Sequence, residues 1–323
     1  MTRRDIRAAV WPAAGASLVR TFGPRGTVHL LPVADLGMWR TVLSSYSAPP
    51  AKPDALLSPE QIVSVLAAVG DTLADAPADG LTVDELGAGV VKRAGPWAGD
   101  PVMPAFQGMW PRWRMVHHLA GMRGLLCFGP GRGRKVTYVR PPSCEPADQA
   151  EAAAWIVRAY LGAYGPSTPD RFANWLSMPV PLATEMFGAA DLERVEVDGM
   201  PAWTRAGDIV ETAAPARGIR LLPYFDSYAY RVGILAPELL YPGVAASRIY
   251  PWAFQNLLVD GVVAGLWQQR RSGVRMAFTI EPLAELNAPQ RDEVAEQAAR
   301  VAGICEAGAA SVEFGTVTSG PHA

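Results

Sequence analysis

The sequence predicts a mainly helical α+β fold, built from tandem winged helix-turn-helix modules and a C-terminal β-rich, barrel-like module. Three observations carry this expectation. Helical patterning gives way to paired strands twice, in the same order. Proline- and alanine-rich joints at Ser47 to Pro59, Pro141 to Pro146 and Ala213 to Gly218 divide the chain into four segments. Strand signals then crowd into the last segment.

The first segment, residues 1–46, opens a strand at Val28, Leu30 and Leu31, with Gly23-Pro24 and Gly26 as the preceding turn and Pro32 as its stop. Arg25 and His29 fall near one polar edge of it. A helix follows from about Ala34 to Ser45, with Leu36, Trp39, Val42 and Leu43 on one face. This segment is too small to own a core. The second, 58–140, begins a helix at Ser58-Pro59, serine as N-cap and proline at the first helical position. Ile62, Val65, Leu66, Val69 and Leu73 make its buried stripe. A second helix starts at Thr82 with Val83, Leu86 and Val90 inward, and a third is expected from about Phe106 to Met122. Gly124 to Val139 then reads as two strands around a glycine-rich basic turn.

The third segment, 147–207, repeats the order. Its first helix carries Ala154, Ile156, Val157, Tyr160 and Leu161; Thr168-Pro169 starts the second; a third spans about Val180 to Phe187. Leu192 to Val197 pairs with Pro201 to Thr204 across Asp198-Gly199. The fourth, 218–323, offers strands at Arg220 to Pro223, Asn256 to Val259, Val262 to Gln268, Val274 to Ile280 and Ala310 to Phe314. A helix from about Pro289 to Glu306 packs on them through Val294, Ala298, Val301 and Ile304.

Composition narrows the function class. Half of the 323 residues are hydrophobic, 19% are charged and the net charge is -2, so any polyanion must be held by a local patch rather than by the whole surface. Cys127, Cys144 and Cys305 are widely spaced and lack paired spacing with histidine, which fits reduced thiols. The N-terminus reads as no secretory signal, and no stretch approaches the roughly 18 apolar residues needed to span a bilayer. A cytoplasmic monomer is expected. Phosphate-loop, H-E-x-x-H and G-x-S-x-G motifs do not occur.

The strongest local patch comprises Arg112, Arg114, His117, His118 and Arg123 on the expected third helix, then Arg132, Arg134 and Lys135 on the wing. In a winged helix the third helix enters the major groove while the wing follows the phosphates, which requires cations on both. A solvated basic turn beside a half-buried helix is the alternative. The coincidence of basic run, helix and glycine turn favours double-stranded DNA as the partner. Adjacent positions on a helix diverge by about 100°, so His117 and His118 do not suit one metal ion. Asp226, between aromatics after a strand, could orient a water or stabilise positive charge, as base excision requires, or could cap a turn. Gln268 and Arg270 belong to a polar strip around the Asp260-Gly261 hairpin that could rest on DNA or face water.

Four ordered segments, Arg20 to Pro32, Tyr160 to Pro169, Leu221 to Tyr228 and Val259 to Trp267, make the chain resemble the winged-helix DNA glycosylases of the AlkZ/YcaQ type. The resemblance runs across nearly the whole sequence. It implies a C-shaped, DNA-embracing scaffold and hydrolysis of the N-glycosidic bond of alkylated purines, including some interstrand crosslinks, with no metal or organic cofactor. Arg20 and Arg25, cations of the first of these segments, are further candidate DNA contacts. The family's catalytic motif, a glutamine followed two positions later by glutamine or aspartate, lies upstream of that segment, and the sequence starts too late to contain it. Gln268-Gln269 has the wrong place and spacing. The scaffold therefore carries over, and no catalytic residue does so by position. A longer product would be a glycosylase; with Met1 as the start, the expectation is a DNA-binding or regulatory relative whose catalysis is lost or rebuilt from Asp226, His29 or His117.

Overall fold

The structure is a computed structural model describing residues 1–11, 15–46, 57–105, 108–197, 199–208, 216–226 and 254–318. Phe106, Asp198, Ser227, Tyr228, most of the first joint and half of the third lie outside the described residues. The fold is mixed α/β. Two compact units divide it, Arg7–Asp208 and Ile209–Ala323, the latter joined by Met1–Ile6.

The larger unit follows a first short helix, α1 (Arg3–Val10), with the hairpin β1 (Leu18–Phe22) and β2 (Val28–Pro32), then α2 (Leu36–Tyr46). Val19, Leu31 and Leu36 bury against Cys127, and Thr21 Oγ1 donates to the Leu126 carbonyl at 3.2 Å. The hairpin thus borrows its core from the next stretch of chain.

That stretch runs α3 (Pro59–Ala74), β3 (Leu81–Thr82), α4 (Val83–Ala94), a hairpin of β4 (Pro101–Ala105) and β5 (Gly108–Pro111), a 3-10 turn over Arg112–Val116, α5 (His117–Met122), β6 (Cys127–Phe128) and β7 (Thr137–Val139). Both long helices start with capping boxes, Ser58 with Gln61 and Thr82 with Glu85, each contributing about 1 kcal/mol. Their apolar stripes meet Trp113, Leu119 and Tyr138 in one core. The three strands form an antiparallel sheet in the order β3-β7-β6.

The helix expected over 106–122 is shorter. Only His117–Met122 is α-helical, and a two-stranded hairpin precedes it. Pro111, inside the expected span, lacks the N–H that helical continuation requires, and Gly108 sits at φ 137°, open to glycine.

A second core joins α6 (Gln149–Tyr164), α7 (Pro169–Leu176) and α8 (Val180–Ala189), with the hairpin β8 (Leu192–Val197) and β9 (Met200–Arg205) against it. Ile156, Val157, Tyr160 and Leu161 are all buried. Asp148 and Thr168 cap α6 and α7 through their side chains.

The smaller unit holds β10 (Ile219–Leu222), β11 (Gln255–Val259), β12 (Val262–Ser272), β13 (Arg275–Pro282), α9 (Ala288–Ile304) and β14 (Ala309–Phe314). Its five strands lie in chain order and are antiparallel except for β13 with β14. Among the described residues this is an open sheet, with no closed barrel. Asp260 (φ 50°) and Gly261 (φ 87°) turn β11 into β12, both residues left-handed as a type I′ turn requires. α9 buries Val294, Ala298 and Ala302, spaced by four, whereas Ile304 is exposed. The inward stripe follows the i, i+4, i+8 line, with the half-buried Val301 packed at its edge.

Candidate nucleic-acid interface

The glycine-rich turn between β6 and β7 is closed by paired backbone hydrogen bonds between Arg132 and Lys135, which put Gly133 and Arg134 at the tip. Gly133 takes φ 61° there. Arg134 is exposed and makes no ion pair among the described residues. Its neighbours are occupied. Arg132 donates to the Glu85 carboxylate and to the Gly80 carbonyl (3.2 Å), with Asp79 at 4.0 Å, and Lys135 Nζ lies 3.3 Å from Asp84.

Arg112 and Arg114 stand on the 3-10 turn rather than on α5. Arg112 donates to the Trp97 carbonyl at 3.3 Å and pairs with Asp100 at 3.2 Å, which ties the base of the β4–β5 hairpin. The Arg114 guanidinium lies 3.6 Å from the Trp110 ring centroid, a cation–π contact, while its Nε is buried without a hydrogen-bond partner. Burial lowers the Arg114 pKa from its ordinary value.

His117 and His118 part company. His117 is 7% exposed and packs edge-on against Phe22, Trp113 and Tyr138, with Nε2 unpaired. Burial, assisted by the nearby Arg114 and His118, pushes its imidazole down to about 4, so it is neutral at pH 7. His118 presents an exposed face, and its other face packs over Gly26, whose added Cβ would lie 3.0 Å from the ring. That one-sided desolvation lowers its pKa too.

Arg25 and His29 come together on the β1–β2 hairpin. Arg25 is left-handed (φ 63°), which sends its guanidinium to the Trp175 carbonyl (2.7 Å) and to His29 Nε2 (3.4 Å). His29 Nδ1 is 2.9 Å from the Thr27 carbonyl, an acceptor, so Nδ1 carries the proton and Nε2 is left to accept from Arg25. Tyr46 donates to the Leu176 carbonyl at 3.4 Å nearby, and burial raises its pKa. Arg20 projects from β1 over the Phe128 ring at 4.5 Å. Trp175 and Tyr46 carry no sequence signal linking them to Arg25; they are 150 and 21 residues away.

Asp226, Gln268 and Arg270 belong to the smaller unit. Asp226 follows the left-handed, exposed Phe225 and donates its N–H to the Pro223 carbonyl at 3.4 Å. Gln268 is half-buried and Arg270 exposed on β12, opposite Thr279 and Ala277. Among the described residues no helix is long and apolar enough to cross a membrane.

A family model described as "DNA glycosylase AlkZ-like" matches residues 1–304. An interstrand DNA cross-link repair glycosylase of Streptomyces sahachiroi is 33% identical over 278 residues, covering 79% of this chain and 71% of that protein. The solved structure of the Streptomyces sahachiroi DNA glycosylase AlkZ superposes with a TM-score of 0.68 at 27% identity, over 93% of this chain and 82% of its own. With a shared fold over nearly its full length and a family match over most of its sequence, the chain belongs to the AlkZ-like DNA glycosylases.

Proposed function

We propose that the protein is a DNA repair glycosylase that grips duplex DNA through winged-helix modules and releases alkylated purines by hydrolysis of the N-glycosidic bond. The family match over residues 1–304 carries this reading. Two features of the larger unit support the winged-helix part: the order α3-β3-α4-α5-β6-β7 with its β3-β7-β6 sheet, and three helices followed by the β8–β9 hairpin. The chemistry asks little of the protein. An N7-alkylated purine is cationic and leaves readily; water adds at the sugar C1′ and gives up one proton to solvent, the C1′–N9 bond breaks, and its electron pair neutralises the base. Of the candidate groups, Arg25 and His29 are the pair that the β1–β2 hairpin brings together, with Arg25 and Thr27 fixing the His29 ring. The protein acts as a cytoplasmic monomer in this reading.

A second reading, a non-catalytic DNA-binding protein, is favoured by the burial of His117, which withdraws one candidate acid–base group from the surface. An N7-alkylguanine duplex separates the two. The glycosylase yields free base and an alkali-labile abasic site, whereas salt-dependent binding with no released base sinks the first reading.

A further inference from the structure

Two of the wing's three cations are answered by carboxylates from the other end of the same module. Arg132 faces Glu85 and Asp79 and Lys135 faces Asp84, while Arg134 at the tip makes no ion pair among the described residues. Glu85 is not a drifting partner: its carboxylate accepts from the Thr82 N–H (2.7 Å) and hydroxyl (2.9 Å) in the capping box, which fixes it in front of Arg132. Carbonyl Gly80 adds a further oxygen to the same guanidinium. A guanidinium ringed by anionic oxygens is what a DNA phosphate would otherwise provide.

From this arrangement we propose that Asp79, Asp84 and Glu85 are an intramolecular stand-in for DNA phosphates, holding Arg132 and Lys135 until duplex DNA displaces them, and that they set the affinity for undamaged DNA. The inference rests on the reading of the wing as a DNA-facing surface. Its physical basis is a competition. These side chains are between 39% and 74% exposed, where ion pairs are weak and exchangeable. Each phosphate neutralised by a free cation releases condensed counterions, whereas a cation already paired releases fewer. The carboxylates therefore lower non-specific grip without abolishing it, which suits a protein that must leave undamaged sites.

The test is fluorescence anisotropy of an undamaged duplex between about 50 and 200 mM salt. The Asp79→Asn, Asp84→Asn double variant leaves the Glu85 cap intact. It should bind about 3–10-fold tighter at the lower salt, with the log–log salt slope steeper by about 1 to 2. An Asp292→Asn, Glu296→Gln variant makes the same change in net charge at exposed positions on α9, outside the winged-helix modules, and should change affinity less than about 2-fold. Equal tightening by both variants, or none by the first, overturns the stand-in. An Arg134→Ala, Lys135→Ala variant reports separately on the wing. Unchanged binding there removes the wing from the interface and the inference with it; weakened binding there beside an inert Asp79→Asn, Asp84→Asn variant overturns the inference alone.

Discussion

Burial of His117 should contribute a defined component to the acid destabilisation of the larger unit, and His117→Phe should abolish that component. In the folded protein the His117 imidazole titrates at about 4, against 6.5 when solvated, because protonation would place a charge among Phe22, Trp113 and Tyr138. The unfolded chain therefore binds the proton first as pH falls. Stability is unaffected by this group above pH 6.5 and declines between 6.5 and 4. The full loss is about 3 kcal/mol, and about 2 kcal/mol has already gone at pH 5. Urea unfolding of the wild type and His117→Phe at pH 7.5 and pH 5 isolates the effect, since other titrating groups cancel in the difference. Phenylalanine removes the orphaned Nε2 but is slightly larger, and any packing cost is the same at both pH values. The variant should gain about 2 kcal/mol on the wild type between the two conditions. A stability difference that does not move with pH would refute the buried, neutral assignment.

Gly124→Ala should cost about 1–3 kcal/mol in thermal or urea unfolding, because the residue is left-handed (φ 69°) and its added Cβ would run into the Arg40 guanidinium. Thr82→Ala removes the cap that holds Glu85, and a loss of about 1 kcal/mol by urea unfolding is expected. Arg25→Gly keeps the left-handed backbone yet deletes the contacts to Trp175 and His29; thermal unfolding should show a stable fold, and base release should fall if His29 must be held in place.

What could be read from the sequence was local chemistry. Ser58-Pro59, Thr168-Pro169 and Asp260-Gly261 each specify a cap or a turn through one or two side chains, and the elements begin or reverse there. Strands β10 to β14 alternate or run apolar strongly enough to be placed within a few residues. The helix expected over 106–122 gives way to a hairpin and a 3-10 turn in its first half, where Pro111 inside the span is the contrary signal. The surroundings of the basic patch were not legible. Arg112 and Arg114 stand on a 3-10 turn ahead of the helix, and the acids that answer Arg132 and Lys135 are 47 and 51 residues away, a pairing made by folding that no periodicity reveals. The same holds for His117 and His118, adjacent in sequence and separated by the helix into core and surface.

Single-turnover base release, with protein in excess over a duplex carrying one N7-methylguanine, tests the central claim most directly. The account predicts free N7-methylguanine and an equal amount of abasic strand, with an unmodified duplex untouched. Full occupancy of the lesion duplex with no base released would contradict it.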